Sequence, residues 1–123
     1  MFTDLVRSTS LLTKLGQRGV EVIAGQHLVW LSSAVHEYHG TVVKNTGDGI
    51  MATFPSCAAA LDCAVSIQRL DAADAHADVG GNVVRIGISA GDADGENGDW
   101  FGRCVVEASR LCAAASGGEI LTL

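Results

Sequence analysis

Positive charge is scarce in this chain. Eight Lys and Arg stand against 14 Asp and Glu in 123 residues, for a formal net charge of −6. A nucleic-acid-binding face needs clustered cations, so that class of partner is excluded. A phosphate-bearing ligand would have to be held locally, by a metal, backbone N–H groups and one or two cations. Long apolar runs are lacking too. No stretch of about 18 apolar residues occurs and no secretory leader opens the chain, so the segment is expected to make no membrane contact and to be cytoplasmic. Cysteine is present without a pattern: Cys57, Cys63, Cys104 and Cys112 are spaced by 6, 41 and 8 residues, which fits no C-x-x-C zinc or redox motif. They read as small apolar core residues in a reducing compartment. Internal repeats and low-complexity segments are absent.

What is present suits one folded domain. Apolar residues make up 48% and charged residues 18%, enough aliphatic surface to offset the ordering entropy. Phe2 to Val6 reads as a short strand, and Ser8-Thr9-Ser10 supplies helix-capping chemistry. Gly16 and Gly19 predict a break, followed by a helix over Arg18 to Tyr38 with Val20, Ala24, Leu28, Leu31 and Val35 on its apolar face and Gly40 as a left-handed stop. Thr41 to Thr46 and Ile50 to Phe54 form two β-prone runs joined by Gly47-Asp48-Gly49, a hairpin signal. A third helix follows over Cys57 to Leu70, with Leu61 and Val65 on one face. Asp71 to Asn82 reads as a loop and Val83 to Ala90 as the clearest strand. Gly91 to Asp99 reads as a surface arm, Trp100 to Ala115 as a helix, and Glu119 to Leu123 as a last strand. The order β-α-α-β-β-α-β-α-β predicts an α+β domain with a ferredoxin-like split βαβ core, a mostly antiparallel sheet and helices on one face. Apolar strands at both ends suggest a single, incomplete domain over 1–123: a fragment, a shortened reading frame, or a domain cut from a longer protein.

Two acids draw attention. Asp48 sits at the tip of a predicted hairpin, where Asp is also a common turn residue. Asp4 sits inside an apolar strand, where a carboxylate is disfavoured unless paired or bound to a cation. In a split βαβ fold the first strand lies beside the hairpin, so the two carboxylates could approach each other and share a divalent cation. Mg²⁺ suits two carboxylates plus phosphate oxygens. The helix start at Ser8 and Thr9 could offer N–H groups to a polyphosphate. A metal-assisted phosphoryl or nucleotidyl site is one reading; a structural Asp and a turn Asp is the other.

Five segments, in order along nearly the whole chain, resemble class III adenylate/guanylate cyclase catalytic domains. Phe2-Thr3-Asp4-Leu5-Val6-Arg7-Ser8-Thr9 is similar to the family's Phe-Thr-Asp-Ile-x-x-Ser-Thr opening. Lys44-Asn45-Thr46-Gly47-Asp48-Gly49 is similar to its Lys-x-x-Gly-Asp-Gly hairpin, and Val84-Arg85-Ile86-Gly87-Ile88-Ser89-Ala90-Gly91 to its Val-Arg-Ile-Gly-Ile-x-x-Gly strand. Asp99-Trp100-Phe101-Gly102 with Ala108-Ser109-Arg110 resembles its Asp-x-x-Gly and Ala-Ala/Ser-Arg helix. Gly118-Glu119-Ile120-Leu121 resembles its closing strand.

The resemblance implies an adenylate cyclase that makes 3′,5′-cyclic AMP and pyrophosphate from ATP, for intracellular signalling, with two Mg²⁺ or Mn²⁺ ions per site. Asp4, Asp48 and the Leu5 carbonyl would bind the metals. Lys44 and Asp99 would read the base; a Lys donor and an Asp acceptor suit adenine, where guanine calls for the reverse pattern. Ser8 and Thr9 would contact substrate, and Arg110 would stabilise charge on the transferring phosphoryl. Each site would be shared across a head-to-tail homodimer, with regulatory domains fused or docked in a longer protein. Read singly, Lys44 could be an edge-strand charge, Asp99 a helix cap and Arg110 a surface helix residue. Two departures stand out. Val106 occupies the position, four residues before Arg110, where the family carries a ribose-contacting Asn; losing such a contact costs about 10²–10³ in rate. The family's C-terminal strands, with a late phosphate-binding Lys, are missing. Both departures favour an alternative: a weak or inactive cyclase-like module that binds nucleotide or dimerises and regulates a partner. A diguanylate-cyclase relative is disfavoured by the absence of a Gly-Gly-Asp/Glu-Glu-Phe hairpin. His36 and His39 read as solvated helix residues, and Trp30 and Trp100 as core or dimer-interface anchors.

Overall fold

Alternating apolar strands and small-residue helix faces assemble into one five-stranded sheet with helices against it. The computed structural model describes residues 1–6, 9–73 and 84–123. Its elements are β1 (Phe2–Leu5), α1 (Thr9–Glu37), β2 (Thr41–Asn45), β3 (Ile50–Thr53), α2 (Cys57–Ala73), β4 (Val84–Ile88), β5 (Asp94–Glu96), β6 (Asp99–Phe101), α3 (Arg103–Ala114) and β7 (Ile120–Thr122). The sheet order is β2-β3-β1-β4-β7. Among the described strands of this sheet only β4 and β7 run parallel; the other pairs are antiparallel, as the split βαβ plan requires. Ser8, the rest of the expected loop over 74–82, and Val83 lie outside the described residues.

The core lies between the sheet and the first two helices. Leu31 and Val35 of α1, Cys63, Ala64 and Ile67 of α2, and Ile50, Ala52, Val84, Ile86 and Ile88 of the strands form one buried cluster. Each fully buried aliphatic side chain contributes about 1.5–3 kcal/mol relative to exposure. The break expected in α1 is at Gly16, whose φ of 68° and ψ of 171° interrupt the helix. Its left-handed stop falls one residue before the expected Gly40. His39 takes the positive φ of 63°, the His39 N–H donates to the His36 carbonyl at 3.1 Å, and the Gly40 N–H donates to the Val35 carbonyl at 2.9 Å. That is a Schellman motif. Gly40 is needed for a different reason: a Cβ there would lie 2.6 Å from the Phe54 ring. His36, in the last turn of α1, and His39 are both exposed.

Three expectations are corrected. On α2 the buried stripe is Ala60, Cys63, Ala64, Ile67 and Asp71, while Leu61 and Val65 are exposed; small residues let the helix axis approach the sheet. The helices also do not share one face. Gly87 alternates on β4 with the core residues Ile86 and Ile88, and a Cβ on Gly87 would overlap the Ala108 carbonyl and the Cys112 N–H of α3. α3 therefore packs on the opposite face from α1 and α2. Finally, the segment expected as a loose arm over Gly91 to Asp99 contains an ordered hairpin, with β5 and β6 paired from Asp94↔Phe101 to Glu96↔Asp99. Asn97 and Gly98, with φ of 52° and 78°, make its turn; positive φ at both central residues is the type I′ requirement. α3 accordingly starts at Arg103 instead of Trp100.

Candidate active site

The hairpin carrying Asp48 is locked onto the strand carrying Asp4. Thr3 is buried, and its Oγ1 accepts the Ile50 N–H at 3.1 Å. A Cβ on Gly49 would overlap the Thr3 carbonyl and lie 3.0 Å from the Asp4 Cα, so only glycine lets the turn after Asp48 lie flush on β1. The turn itself is fixed by the Thr46 N–H donating to the Gly49 carbonyl at 2.9 Å and the Gly47 N–H donating to Asn45 Oδ1 at 2.8 Å. The juxtaposition of β1 and the hairpin expected from the sequence is therefore present. Leu5 ends β1 opposite Val84, and Thr9 opens α1.

Asp4 shares the α3 face of the sheet with Arg85, its register partner on β4. Arg85 Nε and Nη2 both donate to Asp4 Oδ2, at 3.1 and 2.6 Å, and Nη1 donates to the Ala113 carbonyl of α3 at 2.9 Å. Hydrogen bonding to Asp4 raises the Arg85 pKa further above its already high value. Arg85 stands in the Val84–Gly91 motif, and the sequence alone assigns it no role. The available signal was an Arg inside an otherwise Val/Ile strand; the missing knowledge was the register that sets it opposite Asp4.

Lys44 and Asp99, 55 residues apart in sequence, meet. Lys44 Nζ donates to Asp99 Oδ2 at 2.7 Å, with side-chain exposures of 47% and 28%. A bulge between Val42 and Lys44 re-aims the β2 edge beside this contact. On the other side, the β5–β6 hairpin holds Asp99, whose Oδ1 accepts the Trp100 N–H at 2.7 Å. These bonds, the one from Lys44 first, hold the Asp99 carboxyl below the usual carboxylate range. Asp99 is thus a strand residue bound to Lys44, not the first residue of a helix. A cavity of about 670 Å³ adjoins the pair, lined among others by Phe2, Met51, Thr53, Trp100, Cys104 and Val105. Met51 is the register partner of Lys44, and Trp100 follows Asp99. The volume is that of a small-molecule site.

Arg110 and Val106 lie exposed on α3, four residues apart. Arg110 joins neither the Asp4–Arg85 nor the Lys44–Asp99 ion pair. One turn away, Glu107 accepts Arg103 Nε at 2.8 Å and Ser89 Oγ at 2.9 Å, which lowers its pKa. Trp30 packs against the core and Trp100 is part-exposed over Gly95. Cys63 and Cys112 are buried, and burial pushes both thiols up to about 11. Cys57 is exposed, against expectation.

Among the described residues no group of three or more His, Cys, Asp or Glu could hold a metal. What Asp4, Asp48 and the Leu5 carbonyl offer is a set of hard oxygen donors, two of them anionic, with the turn after Asp48 held against the Asp4 backbone. That set fits Mg²⁺ or Mn²⁺ completed by ligand oxygens and water. No helix of the described residues is long and apolar enough to cross a membrane.

No family model matches the chain. Known proteins do. An adenylate/guanylate cyclase/hydrolase crystal structure from Silicibacter pomeroyi is 31% identical, with a TM-score of 0.76, over 98% of this chain and 72% of that one. A Rhizobium meliloti (strain 1021) protein, provisionally named adenylate cyclase 3, is 37% identical over 93 residues, 73% of this chain. An adenylate cyclase of Mycosarcoma maydis is 30% identical over 146 residues, 98% of this chain. The chain spans 16% and 6% of the lengths of these two curated relatives.

Proposed function

The chain belongs to the class III adenylate/guanylate cyclase catalytic domain family, and from that premise we propose that it converts ATP to 3′,5′-cyclic AMP and pyrophosphate in the cytoplasm, at sites shared by two copies arranged head to tail. The observation that carries the reading is the Lys44–Asp99 contact. It sets a donor and an acceptor 2.7 Å apart, next to Met51 and Trp100, which line a cavity, and adenine presents the matching acceptor and donor, N1 and the 6-amino group, on adjacent atoms.

In this reading Asp4, the Leu5 carbonyl and Asp48 hold two Mg²⁺ or Mn²⁺ ions, which when bound lower the pKa of the ribose 3′-hydroxyl and neutralise the triphosphate. Lys44 and Asp99 orient the base. Thr9, which opens α1, and its sequence neighbour Ser8 contact the phosphates. Arg110, exposed on α3 and so available to a second copy, places its guanidinium against charge developing on the transferring phosphoryl. Regulatory domains accompany the segment in a longer protein. A second reading is favoured by one observation: Val106, exposed on α3 beside Arg110, offers no hydrogen bond where the family carries Asn. On that reading the domain binds nucleotide or dimerises and regulates a partner with little or no turnover.

Cyclic-nucleotide production by the purified chain with Mn²⁺–ATP and Mn²⁺–GTP, beside Asp48→Ala, separates the two. Cyclic AMP that the variant fails to make supports the enzyme. A folded dimer that binds ATP and yields no product overturns it in favour of the regulatory module.

A further inference from the structure

Asp4 already has a cationic partner. Two nitrogens of Arg85 converge on the single oxygen Oδ2, and the third is anchored to the Ala113 carbonyl. The guanidinium therefore has a fixed position, bonded on one side to β1 and on the other to the end of α3. Asp4 is 34% exposed and Arg85 27%, so water screens this pair only in part. A divalent cation arriving at Asp4 meets a positive charge within one hydrogen-bond length of the oxygen it needs, and like charges sharing one carboxylate repel.

We infer that Arg85 is a competing counter-cation at the Asp4 carboxylate: an incoming divalent metal must displace the guanidinium or share Asp4 with it, so the Arg85 charge sets the metal concentration at which the site fills. The inference rests on the metal reading of Asp4 and Asp48.

The test is direct Mn²⁺ binding without nucleotide, read by the electron paramagnetic resonance of unbound Mn²⁺, for the full chain and for Arg85→Gln, Arg85→Lys and Asp4→Asn. Arg85→Gln is expected to bind Mn²⁺ about three- to tenfold more tightly. Arg85→Lys keeps the charge and is expected within about twofold of the unsubstituted chain. Equal or weaker binding by Arg85→Gln overturns the inference, because a guanidinium that merely positions Asp4 would weaken binding when either substitution removes its fork. If the unsubstituted chain and Arg85→Gln both show no binding that depends on Asp4, the metal reading itself fails. Should Arg85→Gln not fold, nitrogen NMR of the unsubstituted chain decides: the Arg85 Nε–H signal is expected to shift with Mg²⁺ along the loading curve, and a signal unmoved by saturating Mg²⁺ contradicts the inference.

Discussion

At the scale of single residues the site is built from pairs. Lys44 and Asp99 hold each other at 2.7 Å in an exposed position, where an ion pair adds little to stability. Their proposed use is recognition, and a substitution there should damage catalysis and leave folding intact. Lys44→Glu is expected to lower kcat/KM for ATP by about tenfold or more, the cost of one lost base contact, with an unchanged urea midpoint. The Asp99 carboxyl is held low, first by Lys44 and then by the Trp100 N–H. A carboxyl depressed on folding contributes stability above its unfolded pKa, about 3.9, and that contribution is lost as pH falls through the lower folded value. Carbon NMR of the Asp99 carboxyl should therefore show no titration between pH 8 and 5, and Lys44→Ala should move its transition upward. Asp4 and Asp48 were legible in the sequence because charges in strand and turn patterns are conspicuous; Lys44 and Asp99 stood out only through the family resemblance. That Lys44 touches Asp99 was not legible, because it depends on where the β5–β6 hairpin, a separate sheet, lies against β2; that Arg85 faces Asp4 was not, because it depends on strand register, which apolar alternation leaves open by steps of two residues.

At the scale of elements, close approach decides the architecture. α3 lies so tightly on β4 that a methyl at Gly87 would meet two backbone atoms of the helix. Gly87→Ala is expected to destabilise the fold by about 1–3 kcal/mol in urea denaturation, the usual cost of overpacking, and to lower activity by shifting Arg110. Strand and helix order was readable from the sequence, since the 2.0 and 3.6 periods are distinct over most of the chain. The β5–β6 hairpin was not read, although Asn97-Gly98 is a hairpin dipeptide; the acids and glycines on either side hid two strands of three residues each. The buried face of α2 was misread because Leu61 and Val65 are large, whereas the sheet is met by Ala60, Cys63 and Ala64.

At the scale of the whole molecule, the sheet separates two tasks. One face is closed by α1 and α2 over the core. The other carries Asp4, Arg85 and α3, and so presents the chemistry. The sequence could not assign α3 to that second face: a stripe of Ala108, Cys112 and Ala115 marks a buried side without saying which surface of the sheet it meets. Arg110 joins neither Asp4 nor the Lys44–Asp99 pair, an arrangement that suits a site completed by a second copy.

Mixing two disabled chains tests that claim most directly. Asp48→Ala removes a metal acid and Arg110→Ala removes the phosphoryl cation, so each homodimer is expected to make no cyclic AMP from Mn²⁺–ATP. A one-to-one mixture of the two should recover about a quarter of the unsubstituted activity, because half of randomly paired dimers are mixed and each has one intact site. A mixture as inactive as its parts, beside an active unsubstituted chain, would contradict a shared site and return catalysis to a single copy.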